Sequence, residues 1–241
     1  AIIHESDITP GLANKLAIPS ATKVCCNFPE TMKYLPSEKA VLTGSPIRQE
    51  LLNGDASKAF SMCNFKDTEK PVILIIGGSS GSKVINTALR DLLPELLKRY
   101  NIIHLCGKGN LDPALSNTDG YAQFEYANKE LADLFALSDL VISRAGANAI
   151  CELLALRKPN ILIPLSAAAS RGDQILNANS FRSSGYSYVL EEEDVSNTAL
   201  LEAIEHVFKN RDSYIEAMQK NNGKDSIETI VELIIEASEM R

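Results

Sequence analysis

The chain has 241 residues, 45% of them apolar, and a formal charge of −7. That length can bury one good core and part of another, which argues against a disordered chain, and the negative balance argues against nonspecific nucleic-acid binding as a main activity. Five cysteines with no C-x-x-C pair give no zinc pattern and suit a reducing compartment. No apolar run approaches the roughly 18 residues of a membrane span. The opening segment carries Glu5 and no long apolar core, so it does not read as a signal peptide, and any membrane contact is expected to be peripheral.

Residues 1 to 50 read oddly for a beginning. The chain opens on Ala1-Ile2-Ile3, which looks like the end of a strand, and passes at once into the polar cluster His4-Glu5-Ser6-Asp7. A helix is expected near Pro10, including Leu12, Leu16 and Ile18, followed by a short strand at 23–26. Residues 39–48 then give a strand ending in the turn Gly44-Ser45-Pro46, with Arg48 just beyond. Short strands with one helix are not expected to close a core. Residues 1–65 are therefore expected to be the remnant of a larger N-terminal domain plus a linker, with the first part of that domain absent.

The region 66–223 is expected to form a second, complete domain of α/β type. Strands are predicted at 72–76, 102–106, 122–125, 140–143, 160–163 and 186–189, and helices at 83–98, 130–136, 147–156, 173–183 and 197–208, an alternation that predicts one parallel sheet covered on both faces. Val72-Ile73-Leu74-Ile75-Ile76 runs into the turn Gly77-Gly78-Ser79-Ser80-Gly81-Ser82, which opens the helix at 83. Its first amides lack intrahelical partners and its glycines admit a ligand to the backbone, chemistry suited to a phosphate or diphosphate. The spacing is neither G-x-G-x-x-G nor a P-loop, and a plain tight turn between strand and helix accounts for it equally.

Such sheets bind ligands outside the carboxyl ends of their strands, and polar residues gather at those ends here. They include Gly107-Lys108-Gly109, Tyr126-Ala127-Asn128, Ser143-Arg144-Ala145-Gly146 and the stretch from Ser166 to Gln174. Glu152, nearly two turns into the helix at 147, reads either as a surface carboxylate or as an acceptor for the two hydroxyls of a ribose. Asp173, Gln174 and Asn177 suit sugar hydroxyls. Arg48 reads as solvated surface or as an anion clamp, His104 as a satisfied core histidine, and His206 as surface. These residues suggest recognition more clearly than a catalytic base, and no metal triad or Ser-His-Asp set is present. The last helix, about 225–240 within a segment 224–241, carries Ile227, Ile230, Val231, Ile234 and Ile235 on one stripe. It is expected to pack away from the main helix layer.

Ser143-Arg144-Ala145-Gly146-Ala147 with Glu152, Gly77-Gly78-Ser79 with Gly81, Thr43-Gly44-Ser45-Pro46-Ile47-Arg48, and Asp173-Gln174 with Asn177-Ala178 together resemble the motifs of the MurG family of bacterial peptidoglycan glycosyltransferases. The resemblance implies a GT-B fold of two Rossmann-like parallel sheets, the C-terminal domain complete and the N-terminal one partial. It implies an inverting transferase that moves N-acetylglucosamine from UDP-N-acetylglucosamine to an undecaprenyl-linked muramyl-pentapeptide at the cytoplasmic face of the cell membrane, with no metal, no cofactor and no nucleic-acid partner. Carried onto this chain, Glu152 would hold the ribose and the backbone at Ala127 and Asn128 would read the uracil. Gly78, Ser79, Ser80 and Gly81, with Arg48, would hold the diphosphate. Arg144, Gly146 and Ala147 would line the phosphate and sugar region, while Asp173 and Gln174, with Asn177, would hold the transferred sugar. His4 and Asp7 are the candidate catalytic groups on the chain, Asp7 standing where the family usually has asparagine; the principal base, the acceptor site and the membrane-facing patch would lie before Ala1, so the 241 residues alone are expected to be inactive in transfer. A nonenzymatic sugar-nucleotide module, a UDP-N-acetylglucosamine epimerase or hydrolase, and a diacylglycerol glucosyltransferase remain alternatives.

Overall fold

The structure is a computed structural model that describes residues 1–78, 80–221 and 225–239. Two parallel sheets organise it. The smaller contains β1 (Ile2–Glu5), β2 (Lys23–Cys26) and β3 (Ala40–Leu42) in that order. The larger has six strands, β4 (Val72–Ile76), β5 (Asn101–Leu105), β6 (Tyr121–Phe124), β7 (Leu140–Ser143), β8 (Asn160–Leu162) and β9 (Tyr188–Val189), in the order β6-β5-β4-β7-β8-β9. Every pairing in both sheets is parallel, as the alternation of strand and helix signals predicts. The strand order reverses beside β4, which places a crevice at its carboxyl end.

The two-residue period of a strand distributes the apolar run of β4 to both sheet faces. Ile73 and Ile75 pack with Leu89, Leu92 and Leu96 of α3 (Lys83–Leu96) and with Leu200, Ile204 and Val207 of α7 (Asn197–Lys209). Val72 and Leu74 face the other way, toward Leu134 of α4 (Leu131–Leu137), Ile150 and Leu153 of α5 (Ala147–Ala155) and Phe181 of α6 (Asp173–Ser183). This second core also takes in Ile8, Phe28 and Leu51 from the first fifty-odd residues, with Phe28 edge-on to Phe181 at 6.2 Å between ring centroids. Between the sheets, α2 (Ala56–Met62) is capped by Asp55 and packs on α4.

Four sequence readings need correction. The short N-terminal strands do close a small cluster, in which Ala21, Val24, Cys26 and Leu35 are buried. The helix expected to include Ile18 stops short of it: α1 is Leu12–Ala17, with Leu12 and Leu16 70% and 74% exposed, and Ile18 opens a separate 3-10 turn that has Pro19 in its first turn. The strand predicted at 186–189 shrinks to Tyr188–Val189, because Tyr186 donates its N–H to Phe181 O in closing the end of α6. The sequence also hid α8 (Arg211–Gln219), where Met218 is the one buried residue and so no apolar stripe marks the helix.

His104 is a core histidine, as expected. It is wholly buried, with Nδ1 2.9 Å from Tyr121 Oη and Nε2 2.9 Å from Asn86 Oδ1, while His206 is exposed. The terminal helix, α9 (Ser226–Glu239), starts beside the β3 turn, where a Cβ added to Gly44 would lie 2.9 Å from Ser226 Oγ. Ile227, Val231, Ile234 and Ile235 on its stripe are exposed.

Candidate functional site

The loops at the carboxyl ends of β1, β7 and β8 meet around a cavity of about 350 Å³. Ser6 and Asp7 enter it from β1, Gly146, Ala147, Asn148 and Ala149 from the start of α5, and Ser170, Asp173 and Gln174 from the approach to α6. Among the described residues no side chain caps the amides that open α5, so they and the helix dipole present positive potential on one wall, facing two carboxylates and an amide on the other. Such a lining can orient a polyhydroxylated group next to an anion.

The Asp7 wall is held by a local knot. Glu5 is buried; its Oε1 accepts from Asp7 N at 3.1 Å, and its Oε2 accepts from Gly11 N at 2.9 Å and Asn14 Nδ2 at 2.8 Å. Those bonds satisfy a carboxylate that would otherwise be costly to bury. Across the cleft, Thr9 Oγ1 donates to Asp173 Oδ1 at 2.9 Å, and Arg171 pairs with the other oxygen of Asp173 at 2.7 Å. Gln174 Oε1 accepts from Leu165 N at 3.0 Å, and its amide NH₂ has no acceptor among the described residues, so it can donate into the cavity that Gln174 lines.

Asn177 has a different job from the sugar contact expected of it. It is fully buried, its Nδ2 donating to Asp7 Oδ1 at 2.9 Å and Ala145 O at 3.3 Å, and its Oδ1 accepting from Ile8 N at 3.4 Å. It therefore ties three loops together behind the cavity wall. His4 also stands apart from the cavity, with Nε2 3.1 Å from Gly44 O and 3.4 Å from Thr43 Oγ1. Of the two candidate catalytic groups, Asp7 faces the cleft and His4 braces the β3 turn.

At the end of β4 the glycines divide by role. A Cβ on Gly81 would lie 2.1 Å from Cys106 O, and one on Gly107 2.2 Å from Gly81 N, so these two glycines let the β4 and β5 turns touch backbone to backbone. Gly77 is likewise blocked by Ser82 N at 2.8 Å. Only Gly78, at φ +88°, faces open space, which narrows the ligand-facing part of the turn to Gly78 and the exposed Ser80; Ser79 lies outside the described residues. Ser82 caps α3, its Oγ accepting from Ile85 N.

Arg144 does not project into the cleft. It is 13% exposed and pairs with Glu192, which is 12% exposed, while donating to Ser82 Oγ at 2.6 Å and to Ile163 O and Pro164 O at 3.2 and 3.3 Å. Burial pushes the Glu192 carboxyl up, but the hydrogen bonds from Arg144 and Ser166 N, with the Arg144 charge, outweigh it and hold the group below its ordinary value.

Glu152 lies on α5 with 22% exposure, and Arg48 reaches to within 3.7 Å of it. Burial raises the Glu152 pKa, and the charge and hydrogen bond of Arg48 offset only part of that. A second cavity of about 480 Å³ lies at the end of β6, lined by Phe124, Tyr126, Ala127 and Asn128 together with Met62 and Glu130. Asn128 N donates to Glu130 Oε2 at 3.3 Å. The sequence reading missed the organising roles of Glu5, Thr9 and Glu192. Glu5 had a usable signal, a carboxylate within a polar cluster at a strand end; Thr9 and Glu192 act across long sequence separations and had none.

Comparison with known proteins adds a family context. A model of the glycosyltransferase family 28 C-terminal domain matches residues 72–234. Two curated relatives are each named UDP-N-acetylglucosamine–N-acetylmuramyl-(pentapeptide) pyrophosphoryl-undecaprenol N-acetylglucosamine transferase. The one from Lachnoclostridium phytofermentans is 64% identical over 98% of this chain, and the one from Lachnospira eligens is 62% identical over 97%. The chain spans 66% of the length of each. Among solved structures, Acinetobacter baumannii MurG superposes over 98% of this chain and 66% of its own, with a TM-score of 0.74 at 23% identity, which speaks to fold alone. The kitacinnamycin glycosyltransferase superposes over 83% of this chain and 50% of its own, at a TM-score of 0.65 and 15% identity.

Proposed function

From the premise that this chain belongs to glycosyltransferase family 28, we propose that it is the donor-binding part of an N-acetylglucosaminyltransferase of peptidoglycan synthesis, using UDP-N-acetylglucosamine as donor and a lipid-linked muramyl-pentapeptide as acceptor. The observation that carries this reading is the cavity at the start of α5, where unpaired helix amides face Asp7, Asp173 and Gln174. An anionic diphosphate suits the open turn at Gly78 and the start of α5 at Gly146, and a sugar suits the carboxylates and amide opposite. Glu152 takes the ribose hydroxyls, and the cavity at Ala127 and Asn128 takes the base.

In this reading residues 1–65 are the remnant of the acceptor-side domain plus a linker, 66–223 belong to the donor domain, and α9 is the helix that returns toward the first domain. The reaction is an in-line displacement with inversion. The acceptor hydroxyl, giving up its proton to a general base, attacks the anomeric carbon, the bond to the diphosphate breaks, and the helix amides stabilise the charge that develops on departing UDP. Asp7 orients sugar hydroxyls as an acceptor of hydrogen bonds. Among the described residues no helix is long and apolar enough to cross a membrane, and the lipid-linked acceptor is met peripherally at the cytoplasmic face.

The test is incubation of the complete protein with UDP-N-acetylglucosamine and the undecaprenyl-linked muramyl-pentapeptide, with the lipid product read by mass spectrometry. Addition of one N-acetylhexosamine to the lipid is expected. Release of free N-acetylglucosamine or of N-acetylmannosamine instead would move the assignment to hydrolysis or epimerisation.

A further inference from the structure

Glu192 sits in a short 3-10 turn, Glu192–Asp194, that follows β9, and nothing in the donor reading gives it a part. Yet its carboxylate is the point at which several walls of the site are joined. One oxygen pairs with Arg144, and the other accepts from Ser166 N at 3.1 Å. Arg144 carries the connection to the cap of α3 through Ser82 Oγ and to the end of β8 through the carbonyls of Ile163 and Pro164. On the far side, Leu165, the neighbour of Ser166, donates its N–H to Gln174, a residue that lines the cavity.

The two partners are not equivalent. If Glu192 were lost, Arg144 would keep Ser82 and two carbonyls, so the start of α3 would remain anchored. The amide of Ser166 would have no partner, and its loop, 164–172, carries Ser170 and leads into Asp173 and Gln174. A largely buried ion pair of this kind contributes little net stability compared with apolar packing, but it fixes geometry, because each oxygen has one directed donor.

We propose that Glu192 is a positioning residue that sets the sugar end of the donor pocket by holding the 164–172 loop through the amide of Ser166. The proposal rests on the donor reading above. It predicts a selective effect: removing Glu192 should diminish what the sugar adds to binding while sparing the nucleotide.

The experiment is calorimetric titration of wild-type protein, Glu192→Ala and Glu192→Gln with UDP and with UDP-N-acetylglucosamine, alongside thermal unfolding. The quantity read is the ratio of the Kd for UDP to the Kd for UDP-N-acetylglucosamine. In Glu192→Ala this ratio is expected to fall about 5-fold or more, with UDP affinity held within about 3-fold. Glu192→Gln offers one carbonyl oxygen to two donors and should lie between the two. If Glu192→Ala fails to fold, the Gln variant decides by the same ratio. An unchanged ratio, or equal weakening of both ligands, overturns the proposal and leaves Glu192 a purely structural residue. Wild-type protein that binds neither ligand would overturn the donor reading itself, and this proposal with it.

Discussion

The guanidinium of Arg48 stands 3.7 Å from the carboxylate of Glu152, so a residue that follows the smaller sheet closes on a helix of the larger one. Arg48 is 64% exposed, and a pair this open contributes about 1 kcal/mol or less to stability. Its interest is therefore in binding. In the proposed function Glu152 exchanges Arg48 for two ribose hydroxyls, and Arg48 is released toward the diphosphate.

Glu152→Ala should weaken UDP by about 1–3 kcal/mol, the usual loss for charge-assisted hydrogen bonds. Arg48→Ala should leave the melting temperature nearly unchanged while weakening UDP more than uridine. Because burial raises the Glu152 pKa, wild-type affinity should begin to fall at a higher pH on acidification than an ordinary glutamate would give, and that pH dependence should be absent from Glu152→Ala. Calorimetry of both variants over a pH series checks this, and equal UDP affinities of folded wild type and Glu152→Ala would remove the ribose role.

Two glycines of one turn should respond differently to alanine. Gly81→Ala drives a Cβ to 2.1 Å from Cys106 O at φ +75°, and should destabilise by about 2–4 kcal/mol through overpacking and backbone strain. Gly78→Ala meets no atom within 4 Å and carries only the strain of φ +88°, about 1–2 kcal/mol. Denaturant unfolding of the pair gives the ranking. If Gly78→Ala nonetheless loses UDP affinity out of proportion to its stability, the methyl group has met the ligand.

Burial, aided by the charge of Arg90, lowers the His104 pKa from 6.5 to about 3. The unfolded chain therefore binds a proton below pH 6.5 that the folded chain refuses, so stability rises with pH across that window and is lost on acidification. The loss should reach about 2–3 kcal/mol by about pH 4.5. Thermal unfolding of wild type and His104→Gln from neutral pH downward isolates the contribution, the variant having the shallower slope. Parallel slopes would mean that His104 titrates normally.

Asn177→Ala should cost about 2–3 kcal/mol, since it strips the buried Ile8 N–H of its acceptor and Asp7 of a donor. Binding of UDP-N-acetylglucosamine should fall further than binding of UDP, because Asp7 then loses its fixed orientation on the sugar side of the cavity. Loss of both affinities to the same extent would assign Asn177 to general stability alone.

The larger sheet was legible because its strands are buried on both faces and its helices are amphipathic, so Val72 to Ile76 and the stripe of α3 speak for themselves. The polar loops at the strand ends were legible as a set for the same topological reason. Which way each side chain turns was not. Arg144 and Asn177 read as ligand contacts and turn inward to hold loops, because their partners Glu192 and Asp7 lie 48 and 170 positions away and no local pattern records them. Gly81 read as room for a ligand and is room for the β5 turn.

The central claim is that a nucleotide-sugar spans the carboxyl ends of this sheet, and a structure of the protein with UDP-N-acetylglucosamine bound tests it most directly. The account predicts the diphosphate against the turn at Gly78 and the start of α5 at Gly146, the ribose on the Glu152 carboxylate in place of Arg48, and the sugar among Asp7, Asp173 and Gln174. A ligand seated elsewhere, or one that leaves the pairing of Arg48 with Glu152 intact, would contradict it.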